Sequence, residues 1–187
     1  MSLASRPRPR VVWTYEDYRT LPDDRNRYEV IDGELLMTPV PSTTHQRVSK
    51  RLGRMLLQEL EDTGIAIVYY APIDVIFSPT SVVQPDLVVV MKERQGIITE
   101  RGIEGPPDIV IEILSPTSRS ADLHSKRKLY SSQEVSEYWI ADPETHTVEV
   151  LELTQDGYRS RVLCRPGGRI DSGIVRAELP VDEVFRP

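Results

Sequence analysis

Two apolar runs in this chain each carry one acid where an acid is costly. The first is Gln84-Pro85-Asp86-Leu87-Val88-Val89-Val90 and the second is Asp108-Ile109-Val110-Ile111-Glu112-Ile113-Leu114. Both read as strands, and an uncompensated carboxylate inside a sheet is strongly unfavourable. Taken singly, Asp86 is a strand-entry aspartate facing water, and Glu112 is half of a salt bridge within the sheet. Taken together on neighbouring strands, they lie a few ångströms apart. Two like charges at ~4 Å repel by about 4 kcal/mol at an effective dielectric near 20. Either one keeps its proton or a cation sits between them. Nothing near them offers a His/Cys set for zinc. All-oxygen ligands suit Mg²⁺ or Mn²⁺, with Asp86, Glu112 and the backbone carbonyl of Ile113 as protein ligands and water and phosphate completing the shell. Such a site points towards phosphodiester chemistry.

Asp122, Lys126 and Tyr130 are spaced i, i+4, i+8 and share one face of a helix. An ordinary Asp–Lys pair on a surface helix is one reading. In the other, the ammonium reaches the strand of Glu112 and orients water or stabilises charge on a phosphate. The helix follows Ser115-Pro116-Thr117-Ser118-Arg119-Ser120, whose hydroxyls and free N–H groups serve as N-caps or attract an anion. His45, at the start of an earlier helix, reads as an exposed first-turn side chain, with contact to a phosphate or water in the cleft as the alternative. Tyr138 and Trp139 read as core and cleft wall.

These groups need a scaffold, and the pattern supplies one. Residues 1–12, Pro/Arg-rich at first, form a flexible tail, and Thr14 caps a short helix. Tyr28 to Met37 is a hairpin around Asp32-Gly33, a type I′ signal. A helix from Ser42–Thr44 to about Asp62 buries Val48, Leu52, Met55, Leu56 and Leu60, and Thr63-Gly64 ends it. Strands are expected at 65–70, 73–77, 86–91, 108–114, 137–141, 147–153 and, with uncertain pairing, 158–163. Residues 92–106 read as a polar connection, 118–134 as a helix, and 179–185 as a closing helical turn. The order predicts an α/β (α+β) fold, a central mixed β-sheet flanked by helices, in one domain over 13–187.

The 187 residues suffice for a core without disulfides, and the single cysteine, Cys164, excludes an intramolecular one. No run suggests a signal peptide or a membrane span, so a cytoplasmic location is expected. The net charge of −6 argues against a DNA-coating protein but not against an acidic site with basic patches. Basic clusters at 47–54 and 119–128 are solvated faces or phosphate contacts. On the second reading Arg47, Lys50, Arg119 and Lys128 bind substrate.

An ordered set of segments resembles a known family. Tyr28-Glu29-Val30-Ile31-Asp32-Gly33-Glu34, His45, Pro85-Asp86, Ile111-Glu112-Ile113-Leu114-Ser115-Pro116, Asp122, Lys126, Tyr130 and Glu137-Tyr138-Trp139-Ile140 are similar to the Uma2 family, also called DUF820. The resemblance spans roughly residues 13 to 155. It implies a restriction-endonuclease-like core of the PD-(D/E)xK type, with Asp86 as the first acid and Glu112 as the second. The lysine of a (D/E)xK strand would fall at Leu114. The family's pattern places it on the following helix instead, at Lys126, with Lys128 as the fallback. By the same likeness, an acid near the start of the fold completes the metal shell, and Glu34 is the candidate. The implied activity is a metal-dependent nuclease, with DNA as substrate by family analogy. A catalytically inactive nucleic-acid-binding or regulatory module retaining the fold is the alternative, favoured by Leu114 and the acidic total. A protein-contact role is a third reading, and the hairpin over 137–153 offers an edge for a homodimer.

Overall fold

The β-branched runs and turn signals fold as two mixed sheets. The structure, a computed structural model, describes residues 11–24 and 26–186. Most of the expected tail therefore lies outside the described residues. The elements in chain order are α1 (Tyr15–Tyr18), β1 (Arg27–Ile31), β2 (Glu34–Thr38), α2 (Thr43–Leu56), β3 (Ala66–Tyr70), β4 (Val75–Ser78), β5 (Ser81–Val83), β6 (Leu87–Met91), β7 (Ile98–Thr99), β8 (Gly102–Glu104), β9 (Ile109–Ile113), α3 (Arg127–Ser132), β10 (Glu137–Asp142), β11 (Thr147–Thr154), β12 (Gly157–Cys164) and α4 (Val181–Phe185). Two π-helical stretches extend them: Leu57–Glu61 continues α2, and Ala121–Lys126 leads into α3.

The larger layer runs β12-β11-β10-β9-β6-β3, and the second sheet runs β2-β1-β5-β4-β8-β7. Each contains one parallel pair, β9 with β10 and β4 with β8. The α+β class with helices flanking mixed sheet is as expected. The division into two sheets is the departure. It arises from β5, β7 and β8, only 3, 2 and 3 residues long, too short to show a period of two. Residues 92–106, expected to be a polar connection with at most a short turn, hold a 3₁₀ turn and, beyond that expectation, the short strands β7 and β8.

The β9 sheet separates two apolar clusters. On one face Val48, Leu52, Leu56 and Leu60 of α2 and its extension meet Leu87, Val89, Ile109, Ile111, Ile113 and Trp139. On the other face Val88, Val90, Val110, Tyr138 and Ile140 meet Leu129 and Tyr130 of α3 and Val75, Val83 and Ile103 of the second sheet. Alternation in β6 and β9 thus explains their unbroken apolar character: both faces are covered. The hairpin turn is as the sequence predicts, with Asp32 at φ 50° and Gly33 at φ 77°, the left-handed pair a type I′ turn requires.

Candidate active site

Register brings the two strand acids together. Leu87 pairs with Ile111 and Val88 with Val110 in the antiparallel β6–β9 ladder. One step further along the same register, Asp86 stands opposite Glu112. Both side chains share the face of Val88 and Val110, so they point between the two sheets. From across that gap the second sheet contributes Arg27 and Glu29 from β1. The first turn of α2 contributes His45, and the π-helical stretch and α3 contribute Asp122, Lys126 and Tyr130. Most of these side chains line a cavity of about 240 Å³, whose mouth is formed by residues 38–42 and 115–118.

The cluster is dense in buried charge. Glu29 and Asp86 are 2 % exposed, Glu112 and Asp122 1 %, and Lys126 3 %. Lys126 Nζ lies 2.9 Å from Glu29 Oε1, 3.0 Å from Glu112 Oε1 and 3.5 Å from Asp122 Oδ1. Tyr130 Oη donates to the same Glu112 oxygen at 2.7 Å. Burial would lower the Lys126 pKa, but Glu112, Glu29 and Asp122 together raise it well above its ordinary value, so the ammonium stays charged. Burial drives Glu112 well above its ordinary value; Lys126 opposes this, while Asp122, Asp86 and Glu29 add to it. Asp122 is raised by the same burial, again opposed by Lys126.

Asp86 behaves differently. Arg27 Nη1 donates to its Oδ1 at 2.9 Å, while His45 Nε2 at 2.9 Å and the Ile113 N–H at 2.8 Å reach Oδ2. Burial alone would raise its pKa, but the His45 hydrogen bond and charge, the Arg27 guanidinium and the Ile113 N–H hold it below the usual aspartate value. The two strand acids therefore differ in character: Asp86 is held below the ordinary aspartate value, and Glu112 is pushed above the ordinary glutamate value. That split is a common feature of acid–base sites.

Other buried acids make a useful contrast. Asp108 is locked by Arg94 and the Met91 N–H, and Glu137 by Trp139, Ser172 and the Gly173 N–H. Each is satisfied away from the cavity. Four acids converge here, and among the described residues the buried Asp122 Oδ1, 3.5 Å from the Lys126 ammonium, and His45 Nδ1 lack a hydrogen-bond partner. Such atoms in an otherwise satisfied interior mark a place for an outside group.

Several expected site residues lie elsewhere. Glu34 is exposed on β2, where it pairs with Ile31. It is a diagonal neighbour of Glu29 on the edge strand, about 8 Å away in such a ladder, and Glu29 is the hairpin acid that faces Lys126. Arg47 and Lys50 line a separate groove between α2 and α4. Arg119 pairs with Asp142 at 3.0 Å and Glu144 at 3.7 Å, and Lys128 is exposed. His45 is only 7 % exposed, against the expectation of a solvated first turn. It continues the buried stripe of Val48 and Leu52, a spacing present in the sequence. Arg27 was not anticipated, although its position two residues before Glu29 places both on one face of β1. The wide turns of the π-helical stretch, often found at functional sites, face Asp122 and Lys126 into the cavity together.

The donor set fits a small hard dication. Asp86 and Glu112 offer carboxylate oxygens across one register step, Asp122 offers a buried oxygen without a hydrogen-bond donor, and no cysteine lines the cavity. Among the described residues no group of three or more His, Cys, Asp or Glu is arranged to hold a metal by itself. One or two carboxylates with water and phosphate are what Mg²⁺ ordinarily accepts.

Comparison with known proteins follows the same line. No curated protein matches this chain. A crystal structure titled as a "putative nuclease belonging to DUF820", from Anabaena variabilis ATCC 29413, superposes with a TM-score of 0.77 at 20 % identity, covering 92 % of this chain and 97 % of that one. At this identity the likeness establishes a shared fold. The family model described as "Uma2: Putative restriction endonuclease" matches residues 15–181. The chain belongs to the Uma2 family.

Proposed function

We propose that this protein is a metal-dependent nuclease that hydrolyses phosphodiester bonds, with DNA as substrate. The observation that supports this most is the contact of Lys126 Nζ with Glu112 at 3.0 Å, beside the anionic Asp86. It combines a buried ammonium with carboxylates of unlike proton affinity at the floor of an open cavity. Asp86 and Glu112, with the Ile113 carbonyl, would hold Mg²⁺ or Mn²⁺. When bound, that ion supplies polarisation of the scissile phosphate and a lowered pKa for a water. Lys126 stays charged through its three carboxylates, so it orients the attacking water or neutralises charge building on the phosphorus centre. Tyr130 and Glu29 fix the direction of Glu112 and of the ammonium. The hydroxyls of Ser115 and Ser118, 2.9 Å apart, and that of Ser42 sit at the mouth, where a phosphate enters. Arg47 and Lys50 on α2, with Arg119 just before the π-helical stretch and Lys128 on α3, would contact flanking phosphates without reading bases.

One observation favours a second reading, a non-catalytic nucleic-acid-binding or regulatory module of the same fold. Both oxygens of Asp86 are already engaged, by Arg27, His45 and the Ile113 N–H. Thermal melting with Mn²⁺ or Mg²⁺ separates the two. The nuclease reading expects either ion to raise the melting temperature of wild type but not of Glu112→Gln, since a ligand that binds only the folded state stabilises it. Absence of a shift in wild type would favour the module.

A further inference from the structure

Among the described residues, Arg27 and Lys126 are the permanent cations lining the acid cavity, and they are held unequally. Lys126 touches three carboxylates. Arg27 touches one, Asp86. We infer that Arg27 is a phosphate-binding residue parked on Asp86, and that a nucleic-acid phosphate entering the cavity draws it off that carboxylate and frees Asp86 for the divalent cation. Phosphate and cation then load the site cooperatively. The inference rests on the nuclease reading for its two ligands, but its test reads binding and does not require cleavage.

The guanidinium is only partly engaged. Its Nη1 donates to Asp86 Oδ1 at 2.9 Å and to the Gln84 carbonyl at 3.2 Å. Its Nε and Nη2 make no hydrogen bond among the described residues, and neither is sealed from solvent. A structural pair in the same fold looks different: Arg94 engages both terminal nitrogens, on Asp108 at 2.9 Å and on the Pro106 carbonyl at 2.8 Å. The Arg27 side chain is 17 % exposed and that of Asp86 3 %, so the arginine is the member of the pair that meets solvent. Nε–H and Nη2–H form a rigid fork that matches two oxygens of a phosphate. The Ser42, Ser115 and Ser118 hydroxyls line the same cavity.

The partners of Asp86 show what has to move. Oδ2 is held twice, by His45 Nε2 at 2.9 Å and by the Ile113 N–H at 2.8 Å. Oδ1 accepts from Arg27 alone among the described residues. Rotation of one side chain therefore bares a carboxylate oxygen and leaves the backbone contact intact. A dication and a guanidinium on that one oxygen are like charges in contact, so each excludes the other. A phosphate gives the displaced guanidinium a new anionic partner.

Competition of this kind fixes a quantitative relation. While Arg27 covers Oδ1, cation affinity is reduced by the fraction of molecules in which that oxygen is free. A phosphate that removes Arg27 restores the lost affinity, and by linkage the cation tightens phosphate binding by the same factor. Deleting the guanidinium gives the cation that gain at once and leaves the phosphate nothing to add by this route.

The test is Mn²⁺ binding to the full chain, read from the electron paramagnetic resonance signal of free Mn²⁺ and corrected for ion taken up by nucleic acid. It is run without nucleic acid and with a saturating short single strand. A phosphorothioate backbone keeps that strand charged and resists cleavage; a methylphosphonate strand is the uncharged control. Wild type is expected to bind Mn²⁺ about fivefold more tightly or better with the charged strand, the lower end of ordinary coupling between sites, and to gain nothing from the uncharged one. Without any strand, Arg27→Met should bind Mn²⁺ more tightly than wild type by a similar factor, and the charged strand should add no further gain. Arg27→Gln, which keeps a donor for the Gln84 carbonyl, should match it. Misfolding does not raise affinity, so the sign of the change is itself the guard. Unchanged or weaker Mn²⁺ binding by both variants would make Arg27 a support for Asp86 and overturn the inference. An equal effect of the charged strand on wild type and variants would also overturn it, since plain attraction between phosphate and cation then suffices. If the coupling is present while no divalent ion yields cleavage, the exchange stands and the nuclease reading fails. If wild type cleaves while the strand leaves Mn²⁺ affinity unchanged, the reverse holds.

Discussion

Replacing Lys126 by methionine removes the one ammonium that three buried acids share. Its nitrogen lies 2.9–3.5 Å from Glu29, Glu112 and Asp122. At an effective dielectric near 20, each contact at about 3 Å has a gross attraction of about 5–6 kcal/mol. Most of that is offset by desolvating the charges. What remains on truncation is the cost of stranding the partners, about 3–5 kcal/mol for a buried pair. In a chain of this length each kcal/mol moves the melting temperature by about 2–4 °C, so Lys126→Met should melt about 6–20 °C lower at neutral pH. The pH dependence has a definite sign. Glu112 and Asp122 already have raised pKa values, and loss of Lys126 raises them further. A group that binds its proton more tightly when folded favours the folded state below its unfolded pKa and loses that advantage as pH rises. The gap between variant and wild type should therefore close as pH falls towards the ordinary carboxylate range. In wild type, the contribution of Lys126 is therefore present where its partners are ionised and below the usual lysine value, and it is lost on the alkaline side as pH climbs above its raised pKa. Differential scanning calorimetry from mildly acid to neutral pH measures the acid limb. A variant that melts with wild type at neutral pH, or a gap that does not narrow in acid, would refute the electrostatic account of the cluster.

Other perturbations probe separate parts of the structure. Tyr130→Phe removes the 2.7 Å bond to Glu112; it should cost about 1.5–3 kcal/mol, the range for a hydrogen bond to a charged group, by denaturant melting. Gly53→Ala sets a methyl group against the Tyr70 ring, where α2 crosses β3. About 1–3 kcal/mol of overpacking outweighs a helix-propensity gain of about 1 kcal/mol, so its midpoint should fall even though the helix is better formed. Arg47→Glu with Lys50→Glu should weaken DNA binding and flatten its salt dependence without changing thermal stability, since both side chains are exposed. Glu34→Ala, outside the cavity, should leave metal-dependent melting unchanged.

How far the sequence carried depended on whether each feature was local. The Asp32-Gly33 hairpin, the long apolar face of α2 and the buried acid within Ile109–Ile113 each state their structure in a few consecutive residues, and each is found where expected. Asp122, Lys126 and Tyr130 were legible as one helical face, although the π-helical turn that widens it was not. β7 and β8 escaped notice because two or three residues cannot display an alternation. The choice between Glu29 and Glu34 depends on pairing with β5 and on which strand of the hairpin forms the edge, and neither is written in the hairpin itself. His45 shows a different failure. Its i, i+3, i+7 spacing to Val48 and Leu52 was present, but histidine carries too little hydrophobic weight to be read as part of an apolar stripe. Arg47 and Lys50 lie farther along the helix, on its outer face, and line a groove against α4, whose packing no local pattern announces.

The most direct measurement is cleavage of plasmid and single-stranded DNA in Mn²⁺ by wild type, Asp86→Ala and Lys126→Ala, each first shown to be folded. The account predicts nicked or linear product from wild type, suppressed by chelator, and a loss of at least a hundredfold in both variants. Equal activity in all three proteins, or none in wild type under any divalent ion, would contradict it.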